Sequence, residues 1–420
     1  MDNKKKVVIV GGGFAGIRLA KKFANNPKLD VIVLDQHNYH FFPPLLYEVS
    51  TAFIEPSNII YPFRKLFQKA SNIRFHMGKL DKVLPEFNKL VTDQGTLSYD
   101  YLVLAMGTEP NYFGNENIKK NAIAMKSIED ALMIRNHILF SMEKSMRSVI
   151  LEEKQKFSTI VIAGGGPTGV ELAGKIAELG RNIADKDYPE ALGLKAKIYL
   201  IEGAPNLLNT MSINAQQEAY RVLEKLGVII MLNTLVNDYQ NSEVKLSSGE
   251  IIIAETLLWT SGVKARKVDG IVAACIGRGD RILVNDINQV DGYSNLFCIG
   301  DQALALHDTR YPQGHPQLAQ VAIQQGKQLA ENLQREILGI KTKPFLYKNK
   351  GSMAIISKFK AVVDLPKMYF GGLAAWLVWL LVHLVPLTGV RNRLKLLSNW
   401  FWSLMTNDPA LRSIIGKVKQ

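Results

Sequence analysis

Two glycine-rich loops carry the first chemistry legible in this chain. In VVIVGGGFAG, Gly11, Gly13 and Gly16 stand in G-x-G-x-x-G spacing directly after a β-branched run. The pattern suits a strand–turn–helix unit holding a diphosphate. Gly11 permits the tight turn, Gly13 lets the backbone approach the phosphates, and Gly16 lets helix and strand pack closely. The helix N-terminus adds free N–H groups and partial positive charge. A second strand, VIVLD, ends at Asp35, 24 residues after Gly11, where a carboxylate can accept from a ribose 2′-OH. The pattern recurs in VIAGGGPTGVELAG, with Gly164, Gly166 and Gly169, and its second strand KIYLIE ends in Glu202. The 38-residue gap from Gly164 to Glu202 exceeds the usual ~20, so the helix is long or followed by an insertion around 181–194. Gly203 and Ala204 follow Glu202, with no arginine to receive a 2′-phosphate, which favours NADH over its phosphorylated counterpart.

Two such units in one chain normally mean two dinucleotides, one a tightly held flavin and the other a nicotinamide. The alternative is a duplicated fold with one site vacant. Two more stretches fit the flavin half. YDYLVLAMGTEPNYFG is a strand running into a turn at Gly107, and NLFCIGDQA is a strand ending in Gly300-Asp301 before a helical run. Asp301 is placed to bond a ribityl or pyrophosphate-proximal hydroxyl, or to act as an N-cap. The returning strand implies an α/β chain of two Rossmann-like domains, the second inserted in the first. The expected boundaries are 1–115 with 290–345 for the flavin domain, 116–289 for the NADH domain, and 346–420 for a helical C-terminal region.

These motifs resemble the two-dinucleotide-binding flavoprotein reductases, and more closely the type II NADH:quinone oxidoreductases, which pump no protons. The resemblance rests on both glycine loops, on HNYHFFPPLLYEVSTAFIEPSNIIYPFR (37–64) and on GHPQLAQVAIQQG (314–326). It implies non-covalent FAD, NADH, a membrane quinone (ubiquinone or menaquinone) and a homodimer. The last stretch is similar to an A-Q-x-A-x-Q-x-G pattern associated with the quinone site. It therefore implies quinone contacts for Gln320 and Gln324, one helical turn apart on one face, beside Ala319. Without the resemblance, those glutamines read as solvated surface. Tyr311 and His315 precede this helix and are placed to line the same cavity. Glu171, just after the second loop, reads either as a charge complementing a helix N-terminus or, by resemblance, as a group handling quinone protons. Two positions depart from the family: Met106 replaces the usual Thr of an A-T-G turn, and Glu48 replaces the usual Gln of LLYQV.

The formal charge of +13 suggests an anionic partner, and its placement favours lipid over nucleic acid. Residues 371–420 hold six Lys/Arg, including Arg391 and Arg393, against one acid, Asp408. They flank the run Leu373–Val385, apolar but for His383 and 13 residues long. A helix of that length spans ~20 Å, short of a ~30 Å hydrocarbon core. Gly371-Gly372 and Pro386 with Gly389 bound it, and basic clusters favour the cytoplasmic side. Trp376, Trp379, Trp400 and Trp402 cluster here, as at a membrane interface, and RNRLKLLSNWFWSLM reads as an amphipathic in-plane helix. The expectation is docking on the cytoplasmic face of the cell membrane, without crossing it. Cys275 and Cys298 lack metal or dithiol spacing, and the N-terminus lacks a signal-peptide pattern. The chain thus reads as a monotopic flavoenzyme with no metal site. The alternatives are a sulfide:quinone oxidoreductase and a non-enzymatic NADH sensor.

Overall fold

The computed structural model describes residues 4–188, 196–406 and 411–415. Two compact units emerge. The first comprises Met1–Phe41, Tyr61–Glu109 and Val263–Asn349, and the second Phe42–Ile60, Pro110–Gly262 and Lys350–Gln420.

The first unit is built on a five-stranded parallel sheet in the spatial order Leu296–Cys298, Tyr101–Leu104, Lys5–Val10, Leu29–Asp35, Ile73–Met77. Its central strands are apolar on both faces, as parallel strands covered on both sides must be. Helices Phe14–Phe23 and Ala319–Ile337 cover one face with Leu19, Phe23, Ala322, Leu329 and Leu333. Leu296–Cys298 pairs parallel with Tyr101–Leu104, so a segment from late in the chain completes a sheet begun at the N-terminus. The helical run expected directly after Asp301 is instead one 3-10 turn, Gly300–Gln302, and a short strand, Ala303–Ala305; the helix begins only at Ala319.

The second unit repeats the scheme. Its parallel sheet runs Ile123–Ala124, Thr256–Trp259, Thr159–Ala163, Lys197–Ile201, Val228–Met231. In both sheets the glycine-loop strand lies between the strand that follows it in sequence and one from much later in the chain, the switch in strand order that opens a crevice at the strands' carboxyl ends. The loop helix Pro167–Asp187 is 21 residues long, which accounts for much of the gap before Glu202. The 189–195 part of the expected insertion lies outside the described residues. An antiparallel trio, Ser352–Ser357, Lys360–Leu365 and Met368–Gly371, leads into helices Gly372–Leu384 and Val390–Thr406. The glycines and proline bounding the apolar run sit where it starts and stops. Among the described residues no helix is long and apolar enough to cross a membrane.

Candidate active site

The two glycine loops have matching geometry, each within its own unit. Gly11 and Gly164 hold φ of 106° and 111°, a region L side chains rarely enter. A Cβ on Gly16 would stand 2.0 Å from the Gly11 carbonyl oxygen, and one on Gly169 1.8 Å from that of Gly164, so only glycine lets the helix lie so close. Gly13 and Gly166 face open space, the room a diphosphate needs. Gly13 caps helix Phe14–Phe23 without a side-chain bond, leaving its first amides for an anion.

A carboxylate closes each loop. Asp35 accepts from Gly12 N–H at 2.6 Å and from His37 N–H at 2.9 Å. Glu202 accepts from Gly165 N–H and, at 2.7 Å, from Ala204 N–H. Burial pushes the Asp35 carboxyl up despite its backbone donors. His40 Nδ1 donates to the Gly12 carbonyl at 3.2 Å, so the backbone of Gly12 is held on both sides. Burial lowers the His40 pKa to about 4, keeping the ring neutral.

Sequence reasoning missed two glutamines that assemble the rest of this crevice. Gln302, fully buried, accepts from Met106 N–H at 3.1 Å and donates to the Arg266 carbonyl at 2.8 Å. It ties the Gly107 turn to the Gly300-Asp301 corner. Gln325 accepts from Gly300 N–H at 2.7 Å and donates to Asn288 at 3.0 Å. Burial with a paired amide, not spacing, is their signal, and a single sequence does not carry it.

Ala319 opens the helix that bears Gln320 and Gln324, and both glutamines are half-buried. Gln324 binds the Lys348 backbone in both directions, donating to its carbonyl at 2.9 Å and accepting from its N–H at 3.0 Å. His315 is 1 % exposed, ringed by Tyr311, Phe345 and Tyr347, with Nε2 3.1 Å from Asp308 Oδ2. It braces the loop before the helix and presents no open face. Hydrogen bonds from Arg310 and His315 hold Asp308 well below the usual carboxylate range.

In the second unit Glu171 lies in the second turn of Pro167–Asp187, beyond the free amides of the first. Its Oε1 is 3.5 Å from Ile355 N, and burial raises its carboxyl well above the usual range, with the Glu48 charge adding to the rise. Gly174, Lys175, Glu178 and Arg181 continue the same helix face. Lys175 Nζ lies 2.9 Å from Glu178 Oε2 and 4.2 Å from the Phe53 ring centre. Glu48, only 4 % exposed, accepts from Trp400 Nε1 at 2.9 Å and from Tyr47 Oη at 3.3 Å. Glu48, Phe53, Lys175, Glu178 and Arg181 line a cavity of about 250 Å³, with Lys358, Trp376 and Trp400 among the others on its wall.

Two family models match the chain, pyridine nucleotide-disulphide oxidoreductase over residues 5–326 and the NDH2 C-terminal domain over 349–407. The type II NADH:quinone oxidoreductase Ndh of Mycobacterium tuberculosis is 34% identical over 412 residues, covering 94% of this chain and 87% of the relative. This chain belongs to the type II NADH:quinone oxidoreductase family. Among solved structures, NDH2 from Plasmodium falciparum in complex with NADH shares the fold at a TM-score of 0.88 and 22% identity, covering 98% of this chain and all of that one. The sulfide:quinone oxidoreductase of Aquifex aeolicus matches at 0.69 and 18% identity, covering 97% and 93%.

Within the NDH2 C-terminal domain, the structure corrects the tryptophan assignment. Trp376, Trp379 and Trp400 are 7, 0 and 8 % exposed and face inward; only Trp402, at 58 %, projects outward. A helix with one face against the protein shows a different face to solvent every 3.6 residues, and here the inward face took the tryptophans. The outward face carries Leu373, Leu377 and Leu381 on one helix, and Leu394, Leu397, Phe401 and Met405 on the next. Arg391 is exposed, while Arg393 donates to the Leu387 and Val385 carbonyls at 2.9 and 2.8 Å, closing the end of the apolar helix. Both cysteines are buried, and burial raises both thiol pKa values. Neither is a ready thiolate, which disfavours sulfide chemistry.

Proposed function

We propose that this protein oxidises NADH and reduces a membrane quinone to quinol through bound FAD, without pumping protons. The observation that carries the reading is the pair of diphosphate cradles, each closed by its own carboxylate, in a chain of this family.

The first cradle fits FAD: open space at Gly13, uncapped helix amides and Asp35 at the strand end. FAD, held non-covalently, supplies the two-electron redox chemistry that links a hydride donor to a quinone. Gly11, Gly13 and Gly16 seat its diphosphate, Asp35 its ribose, and Gly107 and Asp301 bound the flavin end, which Gln302 holds in place. Gly164, Gly166 and Gly169 seat the NADH diphosphate, with Glu202 at its ribose. Gln320 and Gln324, beside Ala319, orient the quinone carbonyls with neutral donors, and His315 supports them from behind. Glu171 holds a proton for the quinone oxygens.

The outward apolar face of the C-terminal helices docks on the bilayer's cytoplasmic surface. Arg391 and Lys395 meet anionic headgroups and Trp402 sits at the interface. A homodimer is the expected assembly, decided by light scattering. The functional test is anaerobic rapid mixing of detergent-held protein with NADH, then a quinone analogue. Flavin absorbance should bleach and then recover; bleaching without recovery overturns the reading.

A further inference from the structure

A carboxamide can orient a quinone carbonyl only if its nitrogen faces it; turned over, it presents an oxygen that cannot donate. Gln324 is held against turning. Its Oε1 accepts from the Lys348 N–H at 3.0 Å, and its Nε2 donates to the Lys348 carbonyl at 2.9 Å. A backbone N–H can only donate and a carbonyl can only accept, so the pairing fixes which end of the amide lies where. One Nε2 hydrogen is engaged by Lys348 and the second is left for a ligand. Both bonds are exposed, and exposed hydrogen bonds open readily unless their backbone is held elsewhere.

That backbone is held. Residues 343–348 form no helix or strand, yet they lie extended along helix Ala319–Ile337 as a strap. Phe345 and Tyr347 face inward, and Leu346 between them faces out. The Asn332 amide grips the Lys343 backbone in both directions, at 2.8 and 2.9 Å, and His307 Nε2 donates to the Phe345 carbonyl at 2.8 Å. Next to Gln324, Arg310 Nη2 donates to the Tyr347 carbonyl at 3.0 Å. Asp308 sets the guanidinium with two bonds, to Nε at 2.9 Å and to Nη2 at 2.7 Å, and is itself buried and backed by His315. The Tyr347 carbonyl and the Lys348 N–H belong to one peptide plane. In a trans peptide they point to opposite edges, so Arg310 holds one edge and Gln324 the other.

We infer that Arg310, braced by Asp308, is a positioning residue for the quinone. It pins the Tyr347–Lys348 peptide, and that peptide keeps the Gln324 amide turned with its nitrogen toward the quinone. The inference rests on the quinone-reductase reading above. Arg310 acts through Gln324, and Asp308 balances its charge, so the brace adds no net charge beside the electron acceptor.

The test is a double-mutant cycle in the detergent-held holoprotein, with Arg310→Ala, Gln324→Ala and the pair. Arg310 is exposed, so its loss should spare the fold. Arg310→Ala should raise KM for a quinone analogue about 3- to 10-fold, the worth of one oriented hydrogen bond. The value of kcat should change little, the pattern of lost binding, and flavin bleaching by NADH serves as the internal reference. In the Gln324→Ala background the same substitution should add nothing, because the group it orients is gone. Additive effects, or an unmoved KM, overturn the inference. Amide hydrogen exchange at Lys348, measured without NADH or quinone, should be faster in Arg310→Ala, and unchanged exchange overturns the inference as well. Should Arg310→Ala fail to fold, Arg310→Gln keeps a neutral donor for Tyr347 but loses the two-bond grip of Asp308, and should move exchange and KM in the same sense. Wild-type protein that bleaches with NADH but never recovers with quinone sinks the functional reading instead, and the exchange result still decides whether Arg310 holds the strap.

Discussion

Replacing Gly174 with alanine tests how the C-terminal strand is locked onto the helix that follows the second glycine loop. The added Cβ would lie 1.7 Å from the Ile356 carbonyl oxygen and 2.9 Å from its carbon. C–H···O contacts relax at about 3.3–3.6 Å, so helix and strand must separate by roughly 1.5 Å. The obstructing atom is backbone, in a strand whose Ala354, Ile355 and Ile356 are buried and which is paired to Lys360–Leu365. It cannot swing aside as a side chain would. Overpacking costs about 1–3 kcal/mol, and with two buried backbones in opposition we expect the upper end, ~3 kcal/mol. At roughly 2–4 °C per kcal/mol for a unit of this size, the transition should fall by ~6–12 °C. Gly180, on the same helix, is the control: nothing lies within 4 Å of a Cβ there. Alanine at 180 should stabilise by about 0.5–1 kcal/mol through helix propensity alone. The assay is thermal unfolding by circular dichroism at two scan rates, since a chain of this size can unfold irreversibly. A Gly174→Ala melt indistinguishable from wild type would refute the close approach, as would Gly180→Ala falling equally far.

Four further outcomes follow from the same geometry. Burial raises the Glu171 carboxyl in the folded state, so its contribution is fully present below the ordinary carboxylate range and is lost as pH rises through the folded value. The loss runs at about 1.4 kcal/mol per pH unit in that window. Glu171→Gln should therefore flatten the fall of urea midpoints with rising pH, measured from about pH 4 to about pH 8, and parallel curves would contradict it. Phe401→Ser with Trp402→Ser should abolish flotation with anionic vesicles while leaving the melt near wild type. Trp379→Ala should instead cost about 3–5 kcal/mol of stability. Gln302→Leu should strand the Met106 N–H and Arg266 carbonyl, at about 1–3 kcal/mol each, and release FAD on dialysis, read from flavin fluorescence in the filtrate.

The glycine loops and their closing acids were legible in the sequence because each constraint is local: a turn, a close approach and an acid at the next strand's end lie within one supersecondary unit. The ends of the apolar helix were legible for the same reason, being marked by Gly371, Gly372, Pro386 and Gly389. Lys175 and Glu178 lay within reach of helical periodicity counted from Glu171, but a charged pair three residues apart usually marks a solvated face. The Glu48–Trp400 contact joins residues 352 positions apart, and no local pattern encodes it. The inward turn of Trp376 and Trp379 was hidden by composition. Where every residue of a helix is apolar, periodicity has no contrast and cannot say which face is buried.

The last helix shows what resolves that ambiguity. Val390–Thr406 has an apolar stripe that would bury equally well against protein or lipid. Its rotation is fixed by two polar side chains on the opposite face. Asn392 donates to the Ile60 carbonyl at 2.7 Å, and Trp400 donates to Glu48 at 2.9 Å. Rotating the helix by half a turn would bury Leu394 and Phe401 but leave both acceptors unpaired in the interior, at about 1–3 kcal/mol each. Polar anchoring therefore directs the apolar stripe outward, and the group that receives one anchor is Glu48, on the cavity wall. The same hydrogen bond that turns the apolar stripe outward also sets the environment of a buried acid, so Trp400→Phe should disturb both: vesicle binding and the pH at which the Glu48 carboxyl titrates in the infrared. A Trp400→Phe protein changed in neither would show that the hydrogen bond orients nothing.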